Sequence, residues 1–155
     1  MQSEEQALQK ANRWLNDMRA ELQFEDRDIA YQVLRSVLHA IRDRLKVEEV
    51  ARLGTQLPTL IRGLFYEGWN PKRVSFKDKG RPTLFRDVQK TLPVHPMMTT
   101  ENLVRAVLKV VRYHVSEREI EDMRRCLPKK LRTLLNPRLR TNAGVAKGYT
   151  ALPEL

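Results

Sequence analysis

Three histidines, one cysteine and a run of carboxylates are the side chains of this sequence best suited to acid–base, nucleophilic or metal chemistry. His39 and Asp43 stand four positions apart, the spacing that places two side chains on one helix face, where they could share a proton or begin a metal site. Two side chains do not complete a metal shell, so a surface pair is expected. His114, followed by Glu117 and Glu121, offers no more, and His95 is the third histidine. Cys126 follows Arg124 and Arg125, cations that favour a thiolate, but no positioned base accompanies it and a structural thiol is expected. Glu117, Glu119, Glu121 and Asp122 read as residues that favour a helix N-terminus and pair with nearby arginines. No glycine-rich phosphate loop, G-x-S-x-G elbow or H-E-x-x-H pattern occurs. The expectation is a protein that is not an enzyme and uses no cofactor and no metal.

The cations carry a different chemistry. Formal net charge is +10, yet residues 1–69 hold ten Lys/Arg against eleven Asp/Glu, while residues 70–155 hold nineteen against eight. Such asymmetry points to a polyanionic partner and speeds association with one. The candidate phosphate-binding side chains form three groups: Lys72, Arg73, Lys77, Lys79 and Arg81; then Arg124, Arg125, Lys129 and Lys130; then Arg138, Arg140 and Lys147. Phe76 and Tyr149 stand among them as rings on which unpaired bases can stack. No helix-turn-helix, zinc-finger or ribonucleoprotein signature supports base-specific reading, so backbone-driven, salt-sensitive binding is expected. The stretch "YEGWN", residues 66–70, could offer two aromatics as a stacking platform, but is read first as a helix C-cap at Gly68 with Trp69 folded back onto the core.

The elements that must position these groups are written twice. Residues 56–64, "QLPTLIRGL", and 126–134, "CLPKKLRTL", share one pattern, and a shift of seventy aligns 34–66 with 104–136 without a gap. Nine of those thirty-three pairs are identical, among them Arg42/Arg112, Glu49/Glu119, Pro58/Pro128 and Arg62/Arg132. Two copies of one helical unit are expected, about 12–69 and 82–137, packed as a pseudo-twofold domain because two repeats are too few for a solenoid. Leu8, Ala11, Leu15, Met18 and Leu22 make one apolar stripe of a helix over 4–22. The second helices carry Ala30, Val33, Val37, Ile41 and Leu45, and Leu103, Val107, Val110 and Val111; Asp26 or Asp28 stands near the start of one, Thr99 or Thr100 opens the other. Ser116 and Glu119 form a capping box that opens a third helix over 116–126, matching 47–56. Pro58 and Pro128 open the fourth helices, because proline suits a first helical turn. The recurring Glu49 and Arg62, like Glu119 and Arg132, suggest matched ion pairs between the third and fourth helices.

The organisation is therefore an all-α fold of about eight helices: 1–69 a first repeat, 70–81 a basic linker, 82–137 a second repeat and 138–155 a basic tail. A hydrophobic share of 41% with six glycines supports a packed core, and one cysteine excludes an internal disulfide framework. No apolar run approaches the roughly eighteen residues of a membrane span and no apolar signal core opens the chain, so a cytoplasmic protein without membrane insertion is expected.

The phrases "RWLNDM", "AYQVLRSVLHAIRDRL", "VEEVARLGTQLPTLIRGLFYEGW" and "HVSEREIEDMRRCLP" resemble the bacterial family called domain of unknown function 2267, over about residues 10–136. That resemblance implies a small all-α protein and supplies no catalytic residues. The functional expectation is a non-enzymatic binding module whose basic second half engages RNA, ribosome or DNA without sequence specificity. The alternative is a protein–protein adaptor or homodimer that uses an apolar helix face. A polar pocket containing His39 or Glu49 would point instead to a small ligand.

Overall fold

The computed structural model describes residues 2–72, 79–92 and 98–136. Seven α-helices and a closing 3₁₀-helix account for the regular structure there, without a strand among the described residues. They are α1 (Glu4–Leu22), α2 (Arg27–Arg42), α3 (Val47–Thr55), α4 (Thr59–Tyr66), α5 (Arg81–Thr91), α6 (Thr100–His114), α7 (Glu117–Cys126) and η1 (Lys129–Leu135).

Capping chemistry sets most of the starts. Ser3 Oγ accepts from the Gln6 amide at 3.1 Å while Gln6 Oε1 accepts from the Ser3 amide at 3.0 Å, a capping box that satisfies two amides at the mouth of α1. Asp26 caps α2 by accepting from the Asp28 amide, and Thr99 caps α6 by accepting from that of Asn102. The Ser116/Glu119 box opens α7 as its spacing predicts. α5 begins at Arg81, one residue inside the expected linker, with Gly80 as its N-cap and Pro82 in the first turn.

The last element differs from its counterpart. Pro58 is an extended N-cap residue rather than a first helical residue, and the segment after Pro128 is a 3₁₀-helix where α4 is an α-helix. Only eight residues separate Pro128 from Pro137, and a residue before proline is excluded from the α region, so Asn136 is extended and the short helix tightens.

The expected Glu49–Arg62 and Glu119–Arg132 ion pairs are corrected by the geometry. Each glutamate bends back to its own helix start: Glu49 Oε1 accepts from the Lys46 amide at 2.9 Å and Glu119 Oε1 from the Ser116 amide at 2.8 Å. Each arginine caps the preceding turn instead. Arg62 donates to the Gly54 and Leu57 carbonyls, and Arg132 to that of Leu127. Carbonyls at the end of a helix have no intrahelical donor, which makes them fitting partners for a guanidinium.

One apolar cluster draws on every helix, centred on α2 and α6. α2 packs on α1, α4, α5 and α6; α6 packs on α1, α5 and η1; α3 packs on α7. A void of about 20 Å³ lies among Leu38 and Leu108, Ile41 and Val111, Leu53 and Met123, Leu57 and Leu127, each pair seventy positions apart, together with Leu135. Its wholly apolar lining offers a water none of the two to four polar partners it needs.

Candidate functional site

The residues singled out for acid–base work are used to hold helices in place. His39 Nε2 lies 2.7 Å from the Leu64 carbonyl, and half-burial holds its pKa below the ordinary 6.5, so the neutral ring donates to that oxygen. Arg42, on the same helix, donates from Nη1 to the Phe65 and Glu67 carbonyls and from Nε to Asp43. Arg35 pairs with Glu67 at 2.7 Å, and the guanidinium holds that carboxyl below its usual range. His39 and Arg42 of α2 thus collect the loose carbonyls at the end of α4, and Arg35 holds the Glu67 side chain beside them. Gly68 then turns the chain at φ +73, and Trp69 packs beside Tyr66 against the core, ring centroids 5.5 Å apart.

His114 pairs with Asp17 of α1 at 2.7 Å and stacks on Trp14, ring centroids 5.0 Å apart. Tyr113 donates to Glu21 and Lys109 pairs with the same carboxylate, extending a polar seam between α1 and α6. On the other side Arg44, 1% exposed, donates to Asp87 of α5 at 2.8 Å. Cys126 is buried, and burial raises its thiol pKa although Arg52 lies near enough to oppose that shift. It sits at the α3–α7 contact, where Arg52, Glu49 and Asp122 are its charged neighbours, and no thiol–imidazole pair forms among the described residues. Among the described residues no three His, Cys, Asp or Glu side chains come together to hold a metal ion.

The cationic candidates divide. Arg73, Lys77, Arg138, Arg140 and Lys147, with Phe76, Tyr149 and His95, lie outside the described residues. Arg124 is committed to structure: it pairs with Glu121 at 3.2 Å and donates to the Arg132 carbonyl and to the Asn136 side chain, tying α7 to η1. Arg125 pairs loosely with Asp122, and its side chain is 71% exposed. Lys72 is exposed just beyond α4, and Lys79 is half-buried. Lys129 and Lys130 are exposed at the start of η1 and pair with no acid among the described residues. Arg81 donates to Thr133 Oγ1 and lies 3.8 Å from Glu101. A 3₁₀-helix has three residues per turn, so Thr133 and Lys130 share one face. The fold therefore brings Arg81, at the end of the linker, and Lys130 to one face of η1.

A scan against family models matches residues 11–134 to an uncharacterised conserved protein family, DUF2267. The chain belongs to the DUF2267 family. Among the curated proteins compared, none matches it. The match spans Arg81, Arg124, Arg125, Lys129 and Lys130 and stops short of the tail that carries Arg138, Arg140 and Lys147. It also spans the "GTQLPTLIRGLFYEGW" phrase, most of whose residues have structural work: Gly54 accommodates Tyr66, Arg62 caps α3, and Leu64, Phe65 and Glu67 offer carbonyls to α2.

Gly63 has no such work, and it marks a feature that the sequence alone did not reveal. A groove of about 540 Å³ opens between α1, α2 and α4 of this DUF2267 domain. Ala11, Leu15, Ile61 and Leu64 form its floor, Leu8, Tyr31 and Leu60 its exposed walls, and Arg27, Asp28, Gly63 and Glu67 its rim. Leu8 belongs to the predicted apolar stripe of α1 yet is 52% exposed, and Leu60 is 48% exposed. A helical glycine among leucines was the available signal, and it points outward rather than into the core.

Proposed function

We propose that this protein is a non-enzymatic, cytoplasmic binding module whose basic second half engages the phosphate backbone of nucleic acid, RNA, ribosome or DNA, without reading sequence. The observation that supports it is the convergence on η1: Arg81 bonded to Thr133, with exposed Lys130 one turn away, Lys129 beside it and Arg125 on the adjoining helix. Exposed cations around one short helix suit a polyanion, whereas the described polar side chains near the histidines are occupied in capping and in inter-helix pairs. The excess of positive charge in residues 70–155 favours the same half, and the lone buried thiol fits a reducing compartment.

We also propose that the two repeats are related by a pseudo-twofold axis. The pairing of helices supports this, since α1 packs on α6 as α5 packs on α2, and the central void is lined by pairs seventy residues apart. The test of function is fluorescence anisotropy with labelled single-stranded RNA and duplex DNA of mixed sequence over a range of salt. Affinity should fall linearly with salt on logarithmic axes, and on duplex DNA Lys129→Glu with Lys130→Glu should flatten the slope by about 2, near 0.9 per lost phosphate contact. Salt-independent binding, or none at low salt, overturns the proposal.

A further inference from the structure

We infer that the groove between α1, α2 and α4 seats a second copy of this chain, α4 packing on α4 about a twofold axis. The argument starts from how the two repeats differ at this place. Seventy positions on from Ala11, Tyr31 and Gly63 stand Arg81, Glu101 and Thr133, and there the arginine fills the corner, bonded to the threonine and paired with the glutamate. The first repeat carries alanine and glycine at the first and last of those positions, and its corner is open.

Gly63 is the sharpest sign. It lies inside the eight-residue helix α4, and nothing stands within 4 Å of the place a Cβ would take. Glycine there costs about 1 kcal/mol of helix stability against alanine, and no contact within one copy requires it. A side chain from outside, pressed onto the helix backbone, does require it. Leu60 lies one turn earlier on the same face and projects half exposed. Two α4 helices laid antiparallel set each Leu60 over the Gly63 of the other copy, so knob and notch occur on one surface, as an isologous contact demands.

The rim charges fit the same occupant. Arg27 donates to Asn12 but pairs with no acid among the described residues, and the Asp28 carboxylate pairs with no cation there. A twofold axis brings Arg27 of each copy towards Asp28 of the other, two reciprocal ion pairs from adjacent residues of one chain. The groove's volume lies in the range that takes a small molecule, roughly 300–1,000 Å³, but its polar groups stand on the rim and do not converge on the floor.

Sedimentation velocity on the full chain across the micromolar range tests the inference. The expected result is a concentration-dependent dimer that Leu60→Glu, and separately Leu8→Glu on the opposite wall, converts to monomer while the thermal melt stays cooperative. Mixing Leu60→Cys with Gly63→Cys under mild oxidation should trap a disulfide-linked pair of the two variants, and buried Cys126 stays out of that reaction. A wild-type monomer at every concentration overturns the inference. So does a dimer that both glutamates leave intact, or a monomer whose native mass spectrum carries a small ligand lost in Leu60→Glu. Nucleic-acid binding by the second half does not enter this outcome, so either proposal can fail alone.

Discussion

Asp17 and His114 meet at 2.7 Å across the two halves, and their counterparts seventy residues away, Asp87 and Arg44, meet at 2.8 Å. An aspartate in the first helix of one repeat takes the cationic partner at the end of the second helix of the other, twice over and with the roles exchanged. The two copies of the contact are not equal in cost. Arg44 is buried at 1% exposure, whereas the His114 and Asp17 side chains are 20% and 42% exposed.

Asp87→Ala should therefore destabilise the protein by about 3 kcal/mol, because a buried guanidinium loses the carboxylate that Nη2 bonds at 2.8 Å. Asp17→Ala, at the equivalent but wetter position, should cost about 0.5–1 kcal/mol. Urea unfolding of the two variants checks the order. Equal losses would show that Arg44 finds another acid.

His39 predicts a pH dependence in a defined window. Its folded pKa lies below the ordinary 6.5, so the unfolded chain binds the proton first as the solution is acidified. Stability from this group is complete above the unfolded value and is lost as pH falls from 6.5 through the folded pKa. Glu67 acts the same way in a separate, more acid window that opens near its ordinary 4.5. Melting temperature recorded from pH 7.5 downwards should decline in the first window for the wild type. The His39→Gln variant, which keeps a donor for Leu64 and does not titrate, should lose that decline.

Two glycines of one phrase should respond with opposite sign. A Cβ on Gly54 would stand 2.3 Å from the Tyr66 hydroxyl, whose ring is held by Phe65 and Trp69. Gly54→Ala should cost about 1–3 kcal/mol, the range of overpacking. Gly63→Ala, placed in the Leu60→Glu background where no second copy presses on α4, should add about 0.5–1 kcal/mol of helix stability. Chemical denaturation of both variants is sufficient to check this. Destabilisation by Gly63→Ala would mean that the glycine is needed within a single copy.

These contrasts show which parts of the fold could be read from residue order. The capping box at Ser116 and the left-handed glycine turn at Gly68 were legible because each rests on local chemistry that a short window contains. The role of Glu49 and Arg62 was misread because a recurring acid–base pair says that both residues matter in each copy, and does not say that they touch. The 3₁₀ form of η1 was hidden because helix propensity favours Lys-Lys-Leu-Arg and the two prolines act only through length. The groove was illegible for a different reason. Leu8 and Leu60 obey the apolar periodicity of their helices, and only packing shows that this part of the stripe faces solvent.

The central void gives the most direct test of the twofold relation. Ile41 and Val111 face it from equivalent positions and differ by one methylene. Ile41→Val enlarges the void and should cost about 0.5–1.5 kcal/mol. Val111→Ile adds a methylene to a space of about 20 Å³ and should recover about 0.8 kcal/mol of apolar burial. If the two side chains share one cavity across an axis, the exchanged double variant keeps the total volume and should unfold near the wild-type midpoint. Its coupling energy should then be favourable and of the order of 0.5 kcal/mol or more, as neighbours in one cavity show. Strict additivity of the two substitutions would mean that the residues do not share the space, and the proposed axis would lose its strongest support.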